Sequence, residues 1–355
     1  MAGNVDGISR ILLVRTDRLG DLILTLPAMH YVRESFPHAQ ITALVSPRTA
    51  SLLQQCNLVD HILLDDRHDN TAALSRKLRA HDFDATIVFN TSSRNCLAVW
   101  RAGIPARVTW SGKPIGWLTG NRGVFLRRSH PPIHESQFAL KLAQRLCDRD
   151  LPAPWLPPIH IPDEVTARVR SRLAKATGNR RPLFGIHPGN YQSSYNWSPE
   201  RYAVLINTLA HHGAVLVTGG PGEEQLLEQL RSSVSASVAH RISWSNDFDV
   251  IELAAAIAEL DVLTVSNTGP MHLAGILGTP QVALFSSITP QSAAKWAPLG
   301  QHTRILEAPC DGEVTKKMTQ AESFAHMARI SVEQVVRANL EWLRSRTHSR
   351  SARAG

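Results

Sequence analysis

The chain has 355 residues, 43% of them hydrophobic and 19% charged, which suits a soluble protein with two domains, each with its own core. No apolar run approaches the roughly eighteen residues of a membrane span, and the polar stretch Met1 to Arg10 is unlike a signal peptide, so a cytoplasmic protein is expected. A net charge of +8 predicts attraction to something anionic without naming it, while four widely spaced cysteines (Cys56, Cys96, Cys147, Cys310) argue against a zinc site or a disulfide framework and predict free, buried thiols.

In chain order, Ile11 to Val14 reads as a buried strand and Leu22 to Ser35 as a helix. A strand follows at Gln40 to Val45, a short helix at Ala50 to Gln55, a strand at Ile62 to Leu64, a helix at Thr71 to His81 and a strand at Ala85 to Phe89. Ser93 to Ala102 suits another helix. Strands spaced by helices of this length predict parallel βαβ units. From Arg107 to Pro132 the periodicity fades into glycines, tryptophans and basic residues (Arg107, Lys113, Arg122, Arg127, Arg128), the composition of a binding loop. A helix over His134 to Cys147 leads into the proline-dense Leu151 to Pro158, which predicts a domain boundary, residues 1–158 forming one domain and 159–330 the next.

The alternation then restarts. Helix Glu164 to Thr177, strand Leu183 to Ile186, helix Pro199 to His211, strand Ala214 to Thr218 and helix Glu223 to Val234 are followed by a short strand at Arg241 to Ser243 and a helix at Val250 to Glu259. Strand Val262 to Val265, helix Met271 to Leu277 and strand Gln281 to Phe285 complete the series. A last helix over 331–343 is expected to pack back across the boundary. The arginine-rich tail 344–355 is expected to be disordered.

Two kinds of segment carry chemistry. In Arg15-Thr16-Asp17-Arg18-Leu19-Gly20-Asp21, an acid follows the turn that leaves the first strand, at the carboxyl edge where open α/β sheets bind ligands. Asp21 admits three roles there: a helix N-cap, with Asp17 as a rival, a ligand contact, or a base. In the second half, His187-Pro188-Gly189-Asn190, Gly219-Gly220-Pro221-Gly222-Glu223-Glu224 and Ser266-Asn267-Thr268-Gly269-Pro270-Met271-His272 all follow strands, and a parallel sheet would gather them on one edge. The last opens a helix, so its amides and the Thr268 hydroxyl suit phosphate oxygens. Glu223 is either a ribose acceptor or a first-turn glutamate favoured by the helix dipole. The loops match neither the dinucleotide fingerprint nor a P-loop, and histidine pairs such as His211-His212 fit a helix end, so no metal is expected.

With these loops in place the chain resembles glycosyltransferase family 9, the bacterial ADP-heptose:lipopolysaccharide heptosyltransferase family. The resemblance rests on Leu13 to Leu22 with Leu26-Pro27, His187-Pro188-Gly189, Trp197-Ser198-Pro199-Glu200-Arg201-Tyr202, Thr218-Gly219-Gly220-Pro221 and Ser266 to Ala274, in the family's order. It implies an α/β architecture of the GT-B fold, two Rossmann-like domains facing each other across a cleft, and inverting, metal-independent transfer with Asp21 as general base. By the same resemblance the donor, a nucleotide sugar that is most often ADP-heptose, would meet His187, Gly189, Asn190, Gly220, Glu223, Asn267, Thr268, Gly269, Pro270, Met271 and His272. The acceptor, an anionic lipid-linked glycan such as a lipopolysaccharide core, would meet Arg18 and Arg122. No cofactor and no nucleic-acid partner are implied, and peripheral contact with the inner face of the cytoplasmic membrane is.

Two positions depart from the family pattern. Tyr195 stands where the family usually places a lysine that neutralises the donor phosphate, and Asn267 stands where many members carry aspartate. Arg201 is a candidate replacement cation. These departures sustain an alternative, a non-catalytic nucleotide-sugar binding module on a degenerate GT-B scaffold.

Overall fold

A computed structural model describes residues 7–126, 132–147, 156, 158–191, 194–289, 291–310 and 318–351. Arg127, Arg128, most of the proline-dense stretch and the last four residues lie outside them. The chain divides into two compact units, Met1–His160 and Ile161–Gly355, two residues beyond the expected boundary.

The first unit runs β1 (Arg10–Arg15), α1 (Leu19–Ser35), β2 (Gln40–Val45), α2 (Pro47–Gln54), β3 (His61–Leu64), α3 (Thr71–Arg79), β4 (Ala85–Val88), α4 (Ser93–Arg101), β5 (Ala106–Trp110), α5 (Pro114–Thr119), β6 (Arg122–Val124) and α6 (Glu135–Cys147). Its strands form one parallel sheet in the order β3-β2-β1-β4-β5-β6. Ile11 to Val14 are fully buried because helices cover both faces. Leu12 and Val14 pack with Leu74, Leu78, Cys96 and Val99 of α3 and α4. The stretch expected as a loop from Arg107 instead contributes two strands and a short helix.

The second unit runs α7 (Asp163–Thr177), β7 (Leu183–His187), α8 (Pro199–His212), β8 (Ala214–Thr218), α9 (Glu224–Ser232), a 3-10 turn (Ala239–Arg241), β9 (Ile242–Ser245), α10 (Val250–Ala258), β10 (Val262–Ser266), α11 (Gly269–Leu277), β11 (Gln281–Ser286), α12 (Ala293–Trp296), β12 (Thr303–Ala308), α13 (Gln320–Met327) and α14 (Val332–Ser351). Its sheet is also parallel, ordered β12-β11-β10-β7-β8-β9, the same topology as the first once its strands are counted from β7. In each unit the first strand lies beside the fourth, and strand order reverses between them, at β1/β4 and β7/β10. Such switch points open a crevice at the carboxyl edge.

The final helix, α14, covers the second sheet. Asn339, fully buried, donates from Nδ2 to Thr264 Oγ1 at 2.9 Å, and Trp342 Nε1 donates to the Gln281 carbonyl at 3.3 Å. It continues past Leu343 to Ser351, so the expected disordered tail begins as helix. The four cysteines are free; burial lifts the Cys56 thiol to about 12 and the Cys96 thiol to about 11, which leaves both inert.

Candidate active site

The first unit's site grows from the end of β1. Five of its six residues are buried, and the last is Arg15, whose side chain is 5% exposed. A buried guanidinium requires counter-charges. Asp21 Oδ1 accepts from Arg15 Nη2 at 2.6 Å, and Asp17 Oδ1 lies 2.9 Å from Arg15 Nε as an ion pair without hydrogen-bond alignment. Burial pulls the Arg15 pKa down, but Asp17, Asp21 and Glu135 push it above its usual value, so the guanidinium stays charged. Burial lifts the Asp17 carboxyl to about 6, against the pull of Arg15 and reinforced by Asp21.

This geometry removes one of the roles open to Asp21. The N-cap of α1 is Arg18, with no side-chain cap, and Asp21 is in the first helical turn with its carboxylate on Arg15. Neither acid serves as the cap. Asp21 is held at the β1/β4 switch point by a strand-end arginine, with 18% of its side chain open to solvent. Around it, Asn90 Nδ2 and Asn95 Nδ2 each donate to Thr16 Oγ1 at 3.0 Å, fixing the loop from the end of β4 and the first turn of α4.

The expected acceptor contacts separate. Arg18 is exposed at the start of α1, beside this loop. Arg122 opens the edge strand β6, level with Val108, Ile87 and Leu13 in mid-sheet and three strands away from β1. At about 4.8 Å per strand that is roughly 14 Å across, so the structure does not bring Arg122 to Asp21.

In the second unit the three loops do converge. They leave β7, β8 and β10, neighbours in the sheet, at its carboxyl edge. Glu223 ties two of them together: its Oε2 accepts from the Gly220 N–H at 2.8 Å and its Oε1 from the Tyr191 N–H at 3.3 Å. A Cβ on Gly189 would sit 2.0 Å from that carboxylate, so the close approach requires glycine. His187, at the end of β7, meets Thr218 Oγ1 through Nδ1 at 2.9 Å and has Nε2 3.9 Å from Glu223. Burial holds the His187 imidazole below its usual value despite the pull of Glu223. Asn190 donates to the Ser194 carbonyl at 2.7 Å and shapes the same loop.

Thr268 is the N-cap of α11 in extended conformation, its side chain making no cap hydrogen bond. Asn267 and Gly269 beside it are half-buried, whereas Pro270, Met271 and His272 are buried. The first turn offers fewer amides than expected, since Pro270 has none and the Met271 N–H is turned to the Thr268 carbonyl at 3.1 Å. Thr268 and Gly269 are therefore the residues of this turn best placed for an anion. Asn267 Nδ2 reaches the Gln291 carbonyl at 3.4 Å, and Gln291 Oε1 in turn accepts from the Tyr195 N–H at 2.7 Å.

Tyr195 is buried, its ring edge-on to His326 and its hydroxyl accepting from the Met318 N–H at 3.4 Å. The expected replacement cation is engaged elsewhere: Arg201 donates to the Ile330 carbonyl at 3.2 Å and lies over the Trp197 ring. Among the described residues no group of three or more His, Cys, Asp or Glu is arranged to hold a metal ion.

Two residues escaped the sequence reading. Arg15 carried a signal, a charge at the last position of a buried strand with acids two and six residues on. Tyr191 carried none, because its role depends on a positive φ of 46° and on its hydroxyl meeting the Pro221 carbonyl, which lays the ring across the glycine loop.

A family model described as glycosyltransferase family 9 (heptosyltransferase) matches residues 71–325. The chain belongs to glycosyltransferase family 9. A family-9 relative, lipopolysaccharide heptosyltransferase 2 of Escherichia coli, is 21% identical over 341 residues, covering 91% of this chain and 94% of its own. Among solved structures, a family-9 glycosyltransferase from Veillonella parvula superposes with a TM-score of 0.82 at 20% identity, covering 97% of this chain and 100% of that one. The E. coli heptosyltransferase WaaC with ADP superposes at 0.70 and 16% identity, over 94% and 99% of the two chains. The fold is thus GT-B, and this family-9 chain is a glycosyltransferase by membership.

Proposed function

We propose that this glycosyltransferase moves heptose from ADP-heptose to a lipopolysaccharide-core acceptor with inversion and without a metal ion, Asp21 acting as the base. The observation that carries the reading is the Asp21 carboxylate, drawn off the helix backbone by Arg15 and left partly open at a switch point. In the reaction the acceptor hydroxyl oxygen attacks the anomeric carbon as its proton passes to the Asp21 carboxylate. The bond from that carbon to the diphosphate oxygen breaks, and ADP leaves with the electron pair. Thr268 and the first-turn amide of Gly269 meet the departing charge, aided by the dipole of α11. The half-exposed Tyr191 ring and the buried Glu223 carboxylate supply an aromatic face and an acceptor for the nucleoside.

The donor assignment draws support from relatives: heptosyltransferase WaaC has been solved with ADP and with ADP-2-deoxy-2-fluoro heptose. The acceptor assignment follows the heptosyltransferase 2 relatives, and with a lipid-linked acceptor our reading is of a cytoplasmic enzyme, peripheral at the inner membrane face. The metal-free reading is tested by chelation, which leaves turnover unchanged if it is right.

One observation favours a non-catalytic binding module: the usual lysine position is a buried tyrosine and Arg201 is occupied. A thermal-unfolding panel of nucleotide sugars tests the donor. ADP-heptose at about a hundred times its dissociation constant stabilises by about 2.7 kcal/mol, with ADP also protective. Protection by a uridine or guanosine nucleotide sugar and none by ADP would overturn the donor assignment.

A further inference from the structure

The first unit carries a surface that the transfer reaction does not use. Helices α3, α4 and α5 adjoin one another on the face of the sheet lined by Leu12 and Val14. Together they contain five basic residues, Arg76, Lys77, Arg79, Arg94 and Arg101, and no acid. The helices of the other group, α1 and α6, mix their charges, Arg33 with Glu34 and Glu135 with Lys141. Helices α4 and α5 expose Trp100 (49%), Trp117 (66%) and Leu118 (67%).

Chain direction gathers these residues. A helix following a strand in a parallel array runs back, so the last turns of α3, α4 and α5 all lie at the amino edge of the sheet. Arg79, Trp100, Arg101, Trp117 and Leu118 belong to those last turns, and Arg79 donates to the Arg101 carbonyl. Of the acids at this edge, Asp84 accepts from the Ser9 and Arg10 amides and Asp60 pairs with Arg33, while Asp82, well exposed, lies 3.9 Å from Arg10. Arg94, higher on α4, is taken by Asp65.

We infer that this face docks on an anionic phospholipid bilayer. Tryptophan rings, apolar with one polar edge, partition to the headgroup level. Arginines around them meet lipid phosphates, each contributing roughly fivefold in partitioning. The six residues of β1 separate the two edges of the sheet by about 20 Å. Docking at the amino edge therefore holds Asp21 above the headgroups, within reach of a sugar extended from a lipid. The surface contains no residue of the transfer site, so its failure and the failure of the donor assignment are separate results.

The test is co-sedimentation of the full chain with phosphatidylcholine vesicles, with and without phosphatidylglycerol. The wild type binds the anionic vesicles and not the neutral ones. Arg76→Glu/Arg101→Glu lowers that binding at least about twentyfold, Trp100→Ala/Trp117→Ala also lowers it severalfold, and both retain protection by the donor nucleotide, which shows them folded. A charge-matched tail variant, Arg350→Glu/Arg353→Glu, keeps most of the binding. No binding by the wild type, or an equal loss in the tail variant, would overturn the assignment.

Discussion

Arg15 is the residue on which the proposed base depends. Its guanidinium is buried between Asp17 and Asp21, so Arg15→Met leaves two carboxylates facing each other without counter-charge. Both acids retain some solvent, and the expected loss of stability is about 2 kcal/mol, with turnover falling at least tenfold while donor affinity holds. Calorimetry and steady-state rates separate the two effects. Asp17 gives a pH signature. Its carboxyl is raised from 3.8 to about 6, so it adds stability that is complete below about pH 4 and is lost as pH rises through about 6. Asp17→Asn removes this dependence. The wild type, compared with the variant, therefore loses on the order of 2 kcal/mol between those values, measured by urea unfolding across the range. A parallel course for the two proteins would show that Asp17 titrates normally.

At the scale of elements, the proposed donor edge is a set of βα loops closed by one carboxylate. Gly189→Ala places a methyl against Glu223, which must release the Gly220 or Tyr191 amide. Donor affinity is expected to fall about tenfold with a stability loss of about 1 to 2 kcal/mol; Gly222→Ala, whose Cβ meets only the Tyr191 ring edge at 3.9 Å but whose φ is +89°, loses stability without the same effect on affinity. Legibility followed burial. The runs of β1, β7, β8 and β10 are apolar on both faces and read directly from the sequence. Strands β5 and β12 did not, because Arg107, Arg304 and Glu307 interrupt them, and β12 and the three-residue β6 are edge strands with a half-exposed pattern. Helix α1 starts three residues before the expected Leu22 because its cap is made by backbone alone, which leaves no side-chain signal. The glycine and small polar residues of the donor loops were legible, since helix starts demand them. The link from Glu223 to Tyr191 was not, since it spans thirty-two positions.

For the whole molecule, two sheets of the same topology each present a switch point, and in the proposed reaction the chemistry is divided between them. The first supplies an acid fixed by an arginine, the second a cluster of loops suited to a nucleoside diphosphate. The resemblance of the sequence to glycosyltransferase family 9 rested on those two sets of loops, and the family match covers the second unit's loops directly. What motif spacing left open was the task of Asp21, because cap, ligand contact and base demand the same residue at the same place; the direction of its carboxylate removes the cap, and the base is our proposal. The most direct test is Asp21→Asn, with turnover of ADP-heptose and acceptor followed alongside donor affinity by calorimetry. The account predicts a fall in kcat of about 10²–10⁴-fold with donor affinity unchanged within about twofold and the fold intact. Turnover within a few-fold of the wild type would contradict the assignment of Asp21 as the base.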